Sequence, residues 1–426
     1  LRLVERDTEV GGKARSHREG GYTFDVTGHW LHLRDDRMRA LVDELFAPGE
    51  LVTIARKTGV WTHGAMLAYP FQANLHGLPL PLVQRCLVDL IAAREQLAAR
   101  AARGEPPRAS QSFREFVCER FGEGMAELFF VPYNTKLWGV APDGITSSWV
   151  SRFVPIPDVA QIVGGALGLR QDGLGYNASF TYPRAGGIDH LPRALAAAVE
   201  REGLAVELGN ELEALDPVGR RLKLARDPEW VAYARVVSTL PLPALVERCT
   251  AVPAEVQEAA GALRGVAWRY LDVASRRAPT IPEHWVYVPE LELPFFRVGI
   301  YSNALPAMAP PGGASLYVEL SDRARAPDMA AVVEGLVAMG ALQAADDIAF
   351  VRCRDVPDAY VVFDAAHAAA TAVIHRWLAS VGVRSCGRYG GWIYNSMEDS
   401  MIEGIAAAQW LMSGDPGSPG PQELDA

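Results

Sequence analysis

What the chain lacks narrows it first. Of its 41 basic residues only four are lysines, no basic stripe forms, and the formal net charge is −10. That balance argues against nucleic acid as the main partner, because a phosphate backbone is gripped by clustered cations. The five cysteines (Cys86, Cys118, Cys249, Cys353 and Cys386) are odd in number, widely spaced and without a CxxC pair. Neither a disulfide framework nor a zinc site is indicated, and free thiols in a reducing cytoplasm are the expectation. No apolar run approaches ~18 residues, so no membrane span is expected, and no charged-then-apolar signal segment opens the chain. HExxH, a Ser-His-Asp order and an acid-rich metal loop are all missing. What is there is a globular composition, 49% apolar and 22% charged over 426 residues, enough for two or three domains. Such a chain without an acid–base constellation suits an enzyme whose cofactor carries the chemistry. The excess of arginine and alanine is that of a GC-rich bacterial genome.

Along the chain, residues 1–5 read as an apolar strand ending in Glu5, followed by Gly11-Gly12 and an alternating strand pair through 13–33. A helix is expected over 38–45, strands over 51–69 with a turn at His63-Gly64, and a long helix over 82–103. Two helical pieces over 113–130 break at Gly122, and 131–160 shows little periodicity. After Gly186-Gly187 a helix starts. Strands follow near 211–215, 221–225 and 231–238, and 266–320 is mostly strand. A helix at 329–342, a strand at 348–354, a helix at 365–380, a strand at 383–388 and a helix to 412 complete the pattern. The Pro/Gly-rich tail, 413–426, is expected to fray. Parallel-type alternation at both ends around a strand-rich middle gives an α/β chain. One nucleotide-binding layer is built from distant segments, with a helical domain and a second sheet inserted.

In a dinucleotide-binding fold the second strand ends in an acid that holds the ribose hydroxyls. Glu5 occupies such a place, yet the glycine loop should lie ~20 residues before that acid. The expectation is a truncated chain, with the first strand, glycine loop and first helix encoded within ~35 codons upstream. Near the other end, "GRYGGW" and a helix whose first turn holds Met397, Glu398, Asp399 and Ser400 form a strand–turn–helix. Its free N–H groups and positive dipole end suit a phosphate or the anionic edge of a reduced flavin. An ordinary helix capped by Ser396 reads equally well.

Three segments in order, "VERDTEVGGKARS", "STLPLP" and "GRYGGWIYNSMEDSMIEG", resemble the FAD enzymes that group amine oxidases, protoporphyrinogen oxidases and UDP-galactopyranose mutases. The resemblance runs from residue 1 to about 411. It implies a Rossmann-type, two-dinucleotide-binding-domain fold. The discontinuous FAD-binding domain would be 1–35, 185–265 and 380–412, the helical substrate insertion 51–182, and the antiparallel-sheet substrate domain 266–379. "AYPFQANL", "PYNTKLWG", "SSWVSRFVP", "TYPRAGG", "LPFFRVGIYSN" and the Tyr of "DAYVVFD" look like the mutases, the eukaryotic type above all. Carried over residue by residue, the resemblance puts Tyr69 and Gln72 in a uridine pocket and Asn134 and Trp138 near the sugar nucleotide. It makes Arg152 and Arg297 the clamp on the diphosphate, touched also by Tyr360 and Tyr394. His29 would lie beside the flavin. Glu5, Gly11, Gly12, Arg388, Asp399 and Ser400 would contact FAD. Three departures stand out: the family's Gly-Gly-His reads Thr27-Gly28-His29, His32 stands where an aromatic is expected, and the spacing from Trp149 to Arg152 is short.

Residue chemistry supports the assignment only in part. Guanidiniums stay charged on burial and bind a diphosphate bidentately, and Arg152 and Arg297 sit in otherwise apolar stretches. Structural ion pairs are the competing fate, as core packing is for Tyr69, Trp138, Tyr360 and Tyr394. Two enzyme readings follow. The first is a pyranose–furanose mutase on a nucleotide-diphosphate sugar, with reduced FAD as nucleophile, NAD(P)H as candidate electron donor, and a place in cell-surface polysaccharide biosynthesis. The second is an amine or protoporphyrinogen oxidase-like oxidoreductase with an apolar pocket. A degraded scaffold without FAD is the non-enzyme alternative. Two structural expectations are specific. The strands at 1–5 and 383–388 share one mostly parallel sheet, and Arg152, Arg297, Tyr360 and Tyr394 converge near the helix beginning around Met397.

Overall fold

The computed structural model describes residues 1–105, 112–150, 154–169, 178–321 and 326–413. Its largest element is a seven-stranded sheet. The strand order is Ile348–Val361, Gly265–Ser275, Ala314–Leu320, Phe295–Ile300, Trp285–Tyr287, Thr58–Thr62 and Ala65–Ala68. Neighbours run antiparallel except Trp285–Tyr287 and Thr58–Thr62, which are parallel. Period-two alternation sorts its faces. Leu271, Val273, Val298, Ile300, Leu316, Val318 and Leu320 point one way, onto Val332 and Leu336 of the helix Met329–Ala338. Trp268, Tyr270, Tyr317 and Phe296 join the main core on the other side. That second face also carries Arg297 and the fully buried acids Asp272 and Glu319. Buried acids inside a sheet core need partners, and this is the face on which the candidate site is built.

Helix Leu80–Ala102 packs against helix Phe113–Met125. Gly122 breaks the second helix with φ 82°, and a Cβ there would lie 2.4 Å from the Asp89 carbonyl carbon. Only glycine permits that approach. Helix Val131–Trp138 follows, where the sequence shows little periodicity. Tyr133, Asn134, Lys136, Leu137 and Trp138 are all buried, so no polar face exists to reveal a 3.6-residue period.

The nucleotide layer departs from expectation. Leu3–Glu5 pairs in parallel with Val206–Leu208, while Val236–Ser238 pairs in parallel with Val383–Ser385. These are two separate two-stranded ladders, so the expectation of one shared sheet is not met. No described strand lies between them to join their edges. The run 231–238 divides into Val231–Ala232, on the small sheet of Leu212–Asp216 and Arg221–Leu224, and Val236–Ser238. Strand 383–388 is likewise shorter, since Arg388 belongs to the helical turn Gly387–Gly390. Strands within 58–68 join the seven-stranded sheet, and helix His367–Ser380 packs on Ala254–Ala262 and Val383–Ser385. Residues 414–426 lie outside the described residues. No described helix is long and apolar enough to cross a membrane.

Candidate functional site

The strand Leu3–Glu5 ends with the Glu5 carboxylate accepting the Asp7 N–H at 2.9 Å. The chain then turns at Gly11, φ 109°, where a Cβ would meet Pro192 Cγ at 2.7 Å. Gly12 faces open space. Lys13 leaves this corner, lies 3.7 Å over the Tyr389 ring and donates to the Asp358 carbonyl. Burial pushes its ammonium down to about 7 against the pull of the Asp358 carboxylate, and Arg388 adds to the depression. The hairpin Ser16–Glu19/Tyr22–Asp25 runs on to His29, whose Nδ1 is sealed from solvent without a partner among the described residues. Burial, then Arg388 and Lys13, push this imidazole down to about 4, so it is neutral at pH 7.

Arg388 is the centre of this end. Its Nη1 donates to the Asn395 carbonyl at 2.8 Å, and its guanidinium lies 4.6 Å from both the Tyr360 and Tyr394 rings. Those rings stack on each other, with centroids 5.2 Å apart. No carboxylate forms an ion pair with Arg388 or Lys13 among the described residues. Two half-buried cationic side chains without a carboxylate ion pair, beside a neutral imidazole, make a site suited to an anion. That fits the pyrophosphate and reduced ring of a flavin dinucleotide.

From Tyr360 an aromatic run leads away. Trp268 is 4.4 Å from Tyr360 and 5.1 Å from Phe296, and Arg297 lies 5.6 Å over Trp268. Arg297 Nε and Nη2 donate to the two Glu319 carboxylate oxygens at 2.5 and 2.7 Å. Burial opposes the charge of Arg297, but Glu319 together with Tyr317, Tyr360 and Tyr133 outweighs it and holds the pKa well above the ordinary value. The competing fate, a structural ion pair, therefore occupies one edge of the fork, while Nη1 has no partner among the described residues. Trp138 reaches Tyr360 at 5.3 Å and donates to Asn134 Oδ1, and Asn134 donates to the Phe130 carbonyl. Tyr133 and Tyr69 each lie 5.2 Å from Tyr287, with Arg56 4.9 Å over Tyr69. Buried Gln72 donates to the Pro155 carbonyl at 2.7 Å. Arg152 lies outside the described residues. Tyr133 also lies 6.2 Å from Phe296, so Arg297, Tyr360 and Tyr394 lie on one run with Trp138, Asn134 and Tyr69.

The helix Met397–Ser413 begins in a capping box. Ser396 N and Oγ both donate to Asp399 Oδ2 at 2.8 Å, and Asp399 N donates back to Ser396 Oγ at 3.2 Å. Ser400 Oγ donates to the Ser396 carbonyl, and Arg34 holds Glu398 and Asp399. The ordinary cap describes this terminus. Residues that the sequence did not single out include Lys13, Trp268, Tyr287 and Glu319. Lys13 had a usable signal, being one of four lysines and directly after the Gly pair. The others sit in strands whose aromatics and acids look like any core.

A family profile described as flavin-containing amine oxidoreductase matches residues 1–326. Among solved structures, a reduced UDP-galactopyranose mutase is 25% identical at TM-score 0.87, covering 97% of this chain and 91% of that one. A putative protoporphyrinogen oxidase from an Exiguobacterium species is 16% identical at TM-score 0.65, with 96% and 93% covered. Cyclohexylamine oxidase from Brevibacterium oxydans is 17% identical at TM-score 0.64, with 96% and 92% covered. The last two establish likeness of fold alone. With the anion-shaped corner and this match over most of its length, the chain takes FAD as its cofactor and belongs to the flavin-containing amine oxidoreductase family.

Proposed function

We propose that the chain is a flavin-dependent pyranose–furanose mutase acting on a nucleotide-diphosphate sugar of the UDP-galactopyranose type. The observation that carries the reading is the run from Arg388 through Tyr360, Tyr394 and Trp268 to Arg297, then Tyr133, Tyr287 and Tyr69. An amine pocket gives Arg297 nothing to meet beyond Glu319, whereas a diphosphate would engage the rest of its guanidinium. When bound, reduced FAD supplies a nucleophilic ring nitrogen. The chain's own residues do the rest. Arg388 and Lys13 counter the anionic cofactor, helped by Glu5, Gly11 and Gly12 along its dinucleotide, and Asp399 and Ser400 order the helix start beside it. Neutral His29 offers a hydrogen bond at Nδ1. Arg297, steadied by Glu319, turns Nη1 to the diphosphate, with Arg152 as second clamp and the Tyr360 and Tyr394 hydroxyls as donors. Asn134 and Trp138 border the sugar, while Tyr69 and Gln72 seat the nucleotide. The aromatic walls exclude water while the diphosphate is detached. NAD(P)H is the proposed electron donor and the cytoplasm the proposed setting.

An oxidoreductase reading is favoured by the matching family profile itself, and one experiment separates the two. FAD-loaded chain is reduced and assayed for interconversion of UDP-galactopyranose, and UDP affinity is measured by calorimetry for wild type, Arg152→Ala and Arg297→Ala. Loss of one partner of a desolvated charge pair typically costs ~2–5 kcal/mol, so UDP binding should weaken tenfold or far more at unchanged flavin content. Because Arg297→Ala strands Glu319, the double variant with Glu319→Gln controls for folding. Equal, weak UDP binding in all forms, with oxygen consumed on amines, would leave the oxidoreductase.

A further inference from the structure

The turn that carries His29 is held in a conformation its own sequence resists. Thr27 has φ 60°, the left-handed region in which a β-branched residue is strained. Gly28 follows because a Cβ there would lie 2.5 Å from the Tyr317 hydroxyl. Two groups brace this stretch. Below it, fully buried Asp25 accepts from Ser16 Oγ at 2.7 Å, from the Ile188 N–H at 3.1 Å and from the Tyr182 hydroxyl. Gly187 is needed beside that footing, since a Cβ would come within 1.9 Å of Ser16 Oγ. Beside the turn, the buried Tyr301 hydroxyl lies 2.9 Å from the Asp25 carbonyl and 3.0 Å from the Thr27 carbonyl. One phenolic proton is thus shared between the two carbonyls flanking the bend. Tyr301 opens the short helix Tyr301–Ala304, directly after the strand Phe295–Ile300 that carries Arg297.

We propose that Tyr301 is a positioning residue: with Asp25 as fixed footing, its hydroxyl holds the strained Thr27 turn and so sets His29 against Arg388 and Lys13. The strand that carries Arg297 thereby also pins the turn of His29. The proposal does not depend on which substrate the protein takes.

His29 reports its own placement. Sealed in that corner, facing Arg388 from the C-terminal helical turn and Lys13 from the Gly-Gly corner, its imidazole is pushed down to about 4. The test is a nuclear magnetic resonance titration of selectively labelled histidines in the full chain, with His29 assigned by His29→Asn. In wild type His29 should titrate near the depressed value. Tyr301→Phe removes one hydroxyl and keeps the ring that packs 5.1 Å from Tyr317, and it should move His29 toward the ordinary ~6.5. Adding Thr27→Gly, which removes the strain to be held, should bring the low value back. Thermal melts run alongside confirm that each variant is folded. An unmoved His29 in Tyr301→Phe, or a double variant in which the value stays high, overturns the proposal. So does a lowered melting temperature in both variants with no change at His29, which is what a merely structural tyrosine would do. None of these readouts needs bound flavin or turnover, so this failure is distinct from failure of the proposed reaction.

Discussion

At the scale of single residues, burial decides ionisation more than residue type does. Asp25 belongs to no sequence motif, yet it is fully enclosed and burial pushes its carboxyl up to about 7, against three hydrogen bonds that favour the charge. Its folded pKa thus lies above the ~3.9 of an unfolded aspartate. Between those values the native state binds more protons than the unfolded chain, so Asp25 contributes stability at low pH that is lost as pH rises from about 4 through about 7. Asp25→Asn should flatten that part of the stability profile, measured as the denaturant midpoint against pH. A wild-type contribution that grows with pH over the same window would refute the assignment. Thr27 teaches a related lesson. The sequence flagged it as a departure from Gly-Gly-His, but not that its backbone sits at φ 60°. Arg297 is the converse case, singled out for an anion yet holding Glu319 with one edge of its guanidinium.

At the scale of elements, most of the legible structure came from periodicity and breakers. The strand pair within 13–33, the turn at His63-Gly64, the long helix and the break at Gly122 are all present. They could be read because glycine or a two- or 3.6-residue period is a local property. Helix Val131–Trp138 could not, since every side of it is covered. Gly122→Ala makes the point testable. It would force a Cβ to within 2.4 Å of the neighbouring helix backbone at a positive φ. The expected loss is ~2–4 kcal/mol, from overpacking plus backbone strain, read as a lower urea midpoint with unchanged slope. A change below ~0.5 kcal/mol, the range of ordinary surface substitutions, would mean that the two helices part easily there.

At the scale of the whole molecule, the cofactor corner is an unfavourable arrangement until something anionic enters it. Arg388 depresses the Lys13 ammonium, and both cations depress the His29 imidazole, so FAD should stabilise the fold. At free FAD 100 times its dissociation constant the gain is ~2.7 kcal/mol, a rise of a few degrees in melting temperature for a chain of this size. Differential scanning calorimetry with and without FAD checks it, and an unchanged melt at saturating FAD would count against the corner as the flavin site. The sequence by itself determined the α/β class, the flavin family and the order of the elements, because alternation, glycine punctuation and short motifs are written locally. Only the tertiary structure decided that the two parallel ladders stand apart, that strands from 58–68 complete the sheet of 265–361, and that Glu319 meets Arg297. It also joined Trp268 and Tyr287 to the residues the motifs had named. These are contacts between segments up to hundreds of residues apart, and a side chain's charge, partner and exposure are set by whatever the fold packs against it.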